Sequence, residues 1–210
     1  MRGEGPVART AKKKRRHSPY GGEASEAPPS LPRDEEGKHR FGADRPNELR
    51  VTDVTEFRIP AGKVYLSPIV GCFDGMPSSW SISTSPDAEM ANSSLIGACG
   101  WLNEGDRPTA RSDRGGRCRW PGWVRICREN GLVRSMSRKG RGPDNARREG
   151  FFGRLRIEFF YGCDWSKVTI EEVMGMLNAY LRWYRDARIK SDLDYKSPMQ
   201  YRRDLGLLAA

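Results

Sequence analysis

"LRVTDVTEFRI", residues 49–59, puts Leu49, Val51, Asp53, Thr55, Phe57 and Ile59 on one side of an extended chain, because successive side chains of a strand point to opposite faces. That face is apolar except for one carboxylate and one hydroxyl. "AGK" at 61–63 then turns into "VYLSPIVGCF" (64–73), and "DGMP" at 74–77 turns into "SSWSISTS" (78–85). Three strands therefore follow one another in antiparallel succession. Ser85 as N-cap and Pro86 as first helical residue open a helix whose apolar side is Ala91, Leu95, Ala98 and Leu102.

Further along, "TARSD" (109–113) reads as a short strand and "WPGWVRICREN" (120–130) as a helix closed by Gly131. "LVRSMS" (132–137) is a fifth strand, and "RKGRGPDN" (138–145) loops into a helix with Phe152, Leu155 and Phe159 as its buried stripe. Thr169 and Glu172 form a capping box for a final long helix, in which Met176, Tyr180, Trp183 and Tyr184 read as the core-facing side. The order β-β-β-α-β-α-β-α predicts an α/β fold: a mixed five-stranded sheet with helices on both faces, plus a C-terminal helical extension. Residues 1–41, rich in Pro, Gly, Ser and charge, read as a basic linker without a core of their own. Residues 42–190 are the expected core, and 191–210 a tail with a short helix.

The 210 residues carry 37 Lys and Arg against 27 Asp and Glu, a net charge of +10. From Arg107 to Arg156 there are fifteen basic and four acidic residues, so this window alone accounts for the whole excess. A concentrated basic region calls for a polyanionic partner, nucleic acid before membrane surface. The five cysteines lie at 72, 99, 118, 127 and 163, and the two histidines at 17 and 39. These spacings fit no zinc site and leave reduced thiols, as in a cytosolic protein. No apolar run reaches the roughly 18 residues of a membrane span, and no apolar stretch follows the basic N-terminus as in a signal peptide.

Three acids stand out. Asp53 falls in the middle of the first strand, Asp113 at the end of the fourth, and Glu149 near the start of the helix after the fifth. Each has a plainer reading: Asp53 as a buried aspartate held by backbone donors, Asp113 as a turn residue before Gly115 and Gly116, Glu149 as a solvated side chain. Yet the helical neighbours of Glu149 at three and four residues are Asn145, Ala146, Phe152 and Gly153, none of them basic. Carboxylates are the ligands that hard divalent ions take, together with substrate phosphates. Two such ions about 3.5–4 Å apart stabilise the entering and leaving oxygens of a displacement at phosphorus.

Asp53 in "VTDVTEF", Asp113 in "SDRG" and Glu149 in "SMSRKGRGPDNARREGFFGRLRIEFF", with 35 residues between the last two, closely resemble the DDE motif of bacterial insertion-sequence transposases of the OrfB type. The catalytic core of that family is similar to retroviral integrase. The resemblance runs from about Arg45 to Leu207 and includes the terminal "YRDARIKSDLDYKSPMQYRRDLGL". It implies an RNase H-like fold and three acids holding two Mg²⁺ or Mn²⁺ ions. It also implies an activity in which water and then a DNA 3′-hydroxyl attack phosphodiesters without a covalent enzyme intermediate. The implied partners are double-stranded DNA (element ends and target), further copies of the chain on that DNA, and a separately encoded helix-turn-helix protein. No membrane is implied, and the place of work is the bacterial cytoplasm, at the nucleoid when bound to DNA. By the same resemblance Asn145 braces the loop and helix start, while Arg138, Lys139, Arg141 and Arg148 lie along the DNA.

Where the family usually has Trp, Asp, His and Tyr, this sequence has Arg50, Gly71, Arg111 and Cys118. Arg50 is then expected either to loosen the core or to bring a competing cation beside Asp53, and Arg111 to pair with Asp113 and resist metal. Relatives carry an N-terminal helix-turn-helix region that the sequence is expected to lack. Two other functions fit the same residues: a nucleic-acid-binding remnant without turnover, and an RNase H-like nuclease.

Overall fold

The stretch 49–59 forms two strands in line, β1 (Leu49–Thr52) and β2 (Thr55–Ile59), where the sequence predicts one. The computed structural model describes residues 43–112, 120–136 and 146–207, with side chains from Gly150 onward in the last segment. The break falls at Asp53 and Val54, so Asp53 ends a strand and does not sit in the middle of one. Its cause is local. The Asp53 carboxylate accepts a hydrogen bond from the Val54 N–H at 2.8 Å, which competes with the ladder for that donor. The gap also faces Ser67 and Pro68 of the ten-residue β3 (Gly62–Gly71), and proline brings no N–H to a ladder.

β3 organises one half of the sheet. Along one edge it pairs antiparallel with β2, at Gly62–Leu66, and with β1, at Ile69–Gly71. Along the other it pairs with β4 (Pro77–Ser83), also antiparallel. The far side of β1 takes β5 (Thr109–Ser112) in parallel, and β5 takes β6 (Val133–Met136) in parallel. With β1 and β2 counted as one interrupted strand, the sheet is the expected five-stranded mixed one; counted separately, the strands number six among the described residues.

The helices are α1 (Ala88–Cys99), α2 (Pro121–Glu129), α3 (Ala146–Leu155), α4 (Ile170–Asp186) and α5 (Pro198–Asp204). α1 starts two residues later than the sequence suggests: Asp87 is the N-cap, accepting from the Met90 N–H at 2.9 Å. An anionic cap suits the positive end of the helix dipole. α2 has Pro121 at its start, and Gly131 (φ +66°) closes it as expected, in the left-handed conformation that glycine adopts without a Cβ penalty. α3 runs on through a π-helical turn, Arg156–Phe160.

Two cores result, one on each face. On the first, Leu49, Val51, Phe57 and Ile59 meet Phe151, Leu155 and Phe159 from α3 and its π turn, and Val173, Leu177, Leu181 and Tyr184 from α4. The period-two pattern of 49–59 is thus the inner face of the sheet. On the second, Ile69 and Ala110 meet Ala91, Leu95 and Ala98 of α1 and Trp123, Ile126 and Cys127 of α2.

Two predicted stripes are rotated. In α3 and its π turn Leu155 and Phe159 are buried as predicted, but Phe151 takes the inward place predicted for Phe152, which is only partly buried. In α4 the buried set is Val173, Leu177, Leu181 and Tyr184, while Met176 and Trp183 are 45% and 47% exposed. The inward arc carries Val173, Leu177, Leu181 and Tyr184, and Met176 and Trp183 fall on another side of the helix. The capping box is as predicted: Glu172 N–H to Thr169 Oγ1 at 3.2 Å and Thr169 N–H to Glu172 Oε2 at 2.8 Å.

The C-terminal segment is tied into the sheet. Arg202 of α5 donates two hydrogen bonds to Asp74 in the β3–β4 turn, Nε to Oδ2 at 2.5 Å and Nη2 to Oδ1 at 3.1 Å. The two side chains are 4% and 0% exposed. Asp74 Oδ1 also accepts from the Met76 N–H, and Lys190 Nζ donates to the Asp74 carbonyl. Gly71 makes room for this: a Cβ there would lie 3.3 Å from Arg202 Nη2.

Candidate active site

β1 and β5 are parallel neighbours with Val51 opposite Arg111, so their carboxyl ends lie side by side. In open α/β sheets, sites form outside the carboxyl ends of such strands. Asp53 is the residue that follows β1, half-buried, with one carboxylate oxygen engaged by Val54 N–H. β5 ends at Ser112; the next residue, Asp113, lies outside the described residues. Glu149 belongs to α3, two residues before Phe151, and its side chain lies outside them as well. Arg138, Lys139, Arg141 and Asn145 are also outside, and Arg148 is placed only as a residue of α3.

Two contacts position the helix that carries Glu149 against the strand that leads to Asp53. Phe151 and Leu155 of α3 are buried in the same core as Leu49 and Val51 of β1. Arg156 Nη2 donates to Thr55 Oγ1 at 3.0 Å, across 101 residues of sequence and two residues past Asp53. The helix is thus fixed both by apolar packing and by one directional bond.

The two unexpected arginines are resolved differently. Arg50 points to the opposite face from Val51: Nη1 donates to the Ala98 carbonyl at 2.5 Å and Nη2 to Asn47 Oδ1 at 2.6 Å. It therefore caps the C-terminal end of α1 and is not a cation aimed at Asp53, as the sequence suggested. Burial pulls its pKa down to about 10, so it stays charged at neutral pH. Arg111 is wholly buried on β5, in register with Val51 and Ser135; the expected pairing with Asp113 falls outside the described residues.

Beside α3 opens a cleft of about 430 Å³ lined by Phe151, Arg154, Tyr184, Arg188 and Lys190 among others. Sequence reading counted Arg154 only within the basic window and gave no role to Arg188 and Lys190. The signal for them was slight, since the run "YRDARIK" (184–190) shows charge without showing which helix it faces. Arg188 is held by Glu158, which accepts from Nη2 at 2.5 Å and Nε at 2.8 Å, and lies over the Tyr184 ring at 5.0 Å. Glu158 also accepts from Tyr180 Oη at 2.9 Å.

The Arg188 hydrogen bond, followed by that of Tyr180, lowers the Glu158 pKa below its ordinary 4.5. A carboxylate depressed by folding adds stability above its unfolded pKa and loses it as pH falls through the folded one. The melting temperature of the native chain should therefore drop more steeply below about pH 4.5 than that of Glu158→Gln. Parallel curves in a thermal titration would refute the coupling.

The donor set suits a hard divalent ion in chemistry, since all three acids offer carboxylate oxygens and no sulfur or imidazole. Among the described residues no group of three or more His, Cys, Asp or Glu stands together, as two of the three acids contribute no described side chain. No described helix is long and apolar enough to cross a membrane.

Comparison with known proteins agrees with the architecture. Residues 43–142 match one Integrase core domain family and residues 149–205 a second family of the same description. The chain is 46% identical over 203 residues to the "Probable transposase for insertion sequence element IS1353" of Shigella flexneri, covering 97% of this chain and 38% of that protein. It is 37% identical to the "Putative transposase InsK for insertion sequence element IS150" of Escherichia coli, covering 92% and 66%. It is 38% identical to an "Uncharacterized transposase-like protein" of Haemophilus influenzae, covering 77% and 74%. The chain thus spans 38% and 66% of the length of the first two relatives.

Among solved structures, the fold is shared with an intasome of simian T-cell lymphotropic virus (TM-score 0.63, 18% identity, 84% of this chain and 60% of that one). It is shared too with the HTLV-2 integrase catalytic core in complex with magnesium (TM-score 0.54, 18% identity, 74% and 96%). Both likenesses speak for the RNase H-like fold. By its matches along 43–142 and 149–205 and by its identity to the Haemophilus relative, the chain belongs to the integrase-core family of insertion-sequence transposases.

Proposed function

We propose that this chain is the catalytic core of a DDE recombinase that cuts and joins DNA at the ends of an insertion element. The observation that carries the reading is Asp53 at the carboxyl end of a strand in an integrase-core fold, in a chain 46% identical to an insertion-sequence transposase. Asp53, Asp113 and Glu149 are the residues that would hold two Mg²⁺ or Mn²⁺ ions. When bound, such ions neutralise charge on the entering and leaving oxygens of a phosphodiester.

The chain's own part is positional. Phe151, Leu155 and the Arg156–Thr55 bond keep the Glu149 helix on β1. The basic window from Arg107 to Arg156 holds the phosphate backbone, with Arg138, Lys139, Arg141, Asn145 and Arg148 as its DNA contacts. Such contacts weaken steeply as salt rises. Phosphoryl transfer asks for this positioning and charge neutralisation more than for covalent catalysis. The partners are the element ends and target DNA, other copies of the chain assembled on them, and a separately encoded helix-turn-helix protein; the place of work is the bacterial cytoplasm.

The deciding experiment joins a labelled element end to a plasmid in Mg²⁺ or Mn²⁺. The native chain should give joined product, and Asp113→Asn should bind the same DNA and give none. No joining by either would mean a binding remnant, and cleavage of RNA–DNA hybrid without joining would mean a nuclease. A second readout needs no turnover. Three converging carboxylates repel one another, so millimolar Mg²⁺ should raise the melting temperature above a control of matched ionic strength. Glu149→Gln should shrink the rise.

A further inference from the structure

The cleft between α3 and the segment after α4 holds more hydrogen-bonding capacity than the fold uses. Tyr184, 4% exposed, has its ring packed against Phe151 at 5.3 Å and beneath the Arg188 guanidinium at 5.0 Å. Its hydroxyl makes no hydrogen bond among the described residues, and a buried hydroxyl left so costs free energy. That hydroxyl lies among the charges of the cleft: burial raises its pKa, Arg188 pulls it down, Glu158 and Asp192 push it up, and Arg154 pulls it down. Arg154, exposed on α3, makes no hydrogen bond or ion pair among the described residues either. Arg188 gives Nε and Nη2 to Glu158, which leaves Nη1 to donate elsewhere.

We infer that this cleft binds one phosphodiester of the DNA strand passing the Glu149 site, with Arg154 as its counter-ion and the Tyr184 hydroxyl and Arg188 Nη1 as donors. The inference rests on the chain being a DNA recombinase core. Charge fits it, because Arg154, Arg188 and Lys190 stand against Glu158 and Asp192, an excess of one positive charge for the one negative charge of a phosphodiester. The chemistry fits as well: all three groups donate, and phosphodiester oxygens only accept. So does the place. Gly150, the residue after Glu149, is part of the wall, and a Cβ there would meet nothing within 4 Å among the described residues, so the mouth stays open beside the acid. The far wall is already fixed, since Lys190 Nζ donates to the Asp74 carbonyl at 2.6 Å and Lys190 N–H to the Lys196 carbonyl at 3.1 Å. A preformed site pays little ordering cost on binding. Arg154, Tyr184 and Arg188 are thus positioning residues: a phosphate anchored here holds the strand in register with Glu149.

The test is the affinity of the full chain for a fluorescein-labelled duplex of mixed sequence, measured by anisotropy across a salt series without divalent metal. Arg154→Gln should weaken binding about tenfold at low salt and reduce the slope of log affinity against log salt by about one; Arg154→Lys should restore the slope. Tyr184→Phe should keep the slope and weaken binding about fivefold, with no fall in melting temperature, since its hydroxyl has no partner in the fold to lose. Unchanged affinity and slope in Arg154→Gln and Tyr184→Phe overturn the inference. So does millimolar inorganic phosphate that raises the melting temperature of the native chain and not of Arg154→Gln while the DNA slopes stay equal, which would make the cleft a site for free anions. Joining is read separately: a native chain that shows these slopes and joins nothing keeps the cleft and loses the recombinase.

Discussion

Arg202→Met is expected to destabilise the native chain by about 3–5 kcal/mol, because it leaves the Asp74 carboxylate buried without its partner. The Asp74 side chain has no solvent exposure, and Arg202 meets it through two hydrogen bonds. At this chain length such a loss corresponds to a fall in melting temperature of roughly 10 °C. Adding Asp74→Asn should recover part of it, since an orphaned amide costs less than an orphaned charge while still accepting from Met76 N–H. The neighbouring, exposed Arg203→Met should change stability by no more than about 0.5 kcal/mol. Urea denaturation of the four proteins measures all three expectations, and equal midpoints for the Arg202 and Arg203 variants would remove the pair from any structural role.

Asp53→Asn is expected to abolish joining, by on the order of 10³-fold or more, and to erase most of the melting-temperature rise caused by Mg²⁺. Its own folding should be little affected. The amide oxygen of Asn replaces Asp53 Oδ1 as acceptor for the Val54 N–H, and the side chain is half-buried at a strand break. The pairing of the two readouts matters. Joining lost with the metal effect intact would make Asp53 a structural acceptor at the break, and both retained would remove it from the site.

Much of the architecture was legible because it rests on local signals. The alternation of 49–59, the Thr169–Glu172 capping box and Gly131 at a helix end each depend on residues a few positions apart. What was not legible depended on partners far off in sequence. Which side of α4 turns inward was misjudged because Met176 and Trp183 are as apolar as Leu177 and Leu181, and only the shape of the sheet beneath decides between them. The Asp74–Arg202 pair spans 128 residues, and nothing near either residue announces it. The break at Asp53 could have been suspected from an aspartate inside a β-branched run. It needed Pro68 on the facing strand to be explained. Of the candidate site, Asp53 was singled out by its place in the alternation and Glu149 by the lack of a basic partner along its helix, whereas Asp113 rests on the family motif.

The α5 latch has a consequence for how the chain is made. The turn it locks, at Asp74, leaves the ribosome early, and the arginine that neutralises it follows more than a hundred residues later. Through most of translation Asp74 must remain hydrated and its turn open, so the sheet cannot take its final form on the growing chain. A message stopped before the codon for Arg202 would release a product with that charge still unmatched and the turn open to proteases.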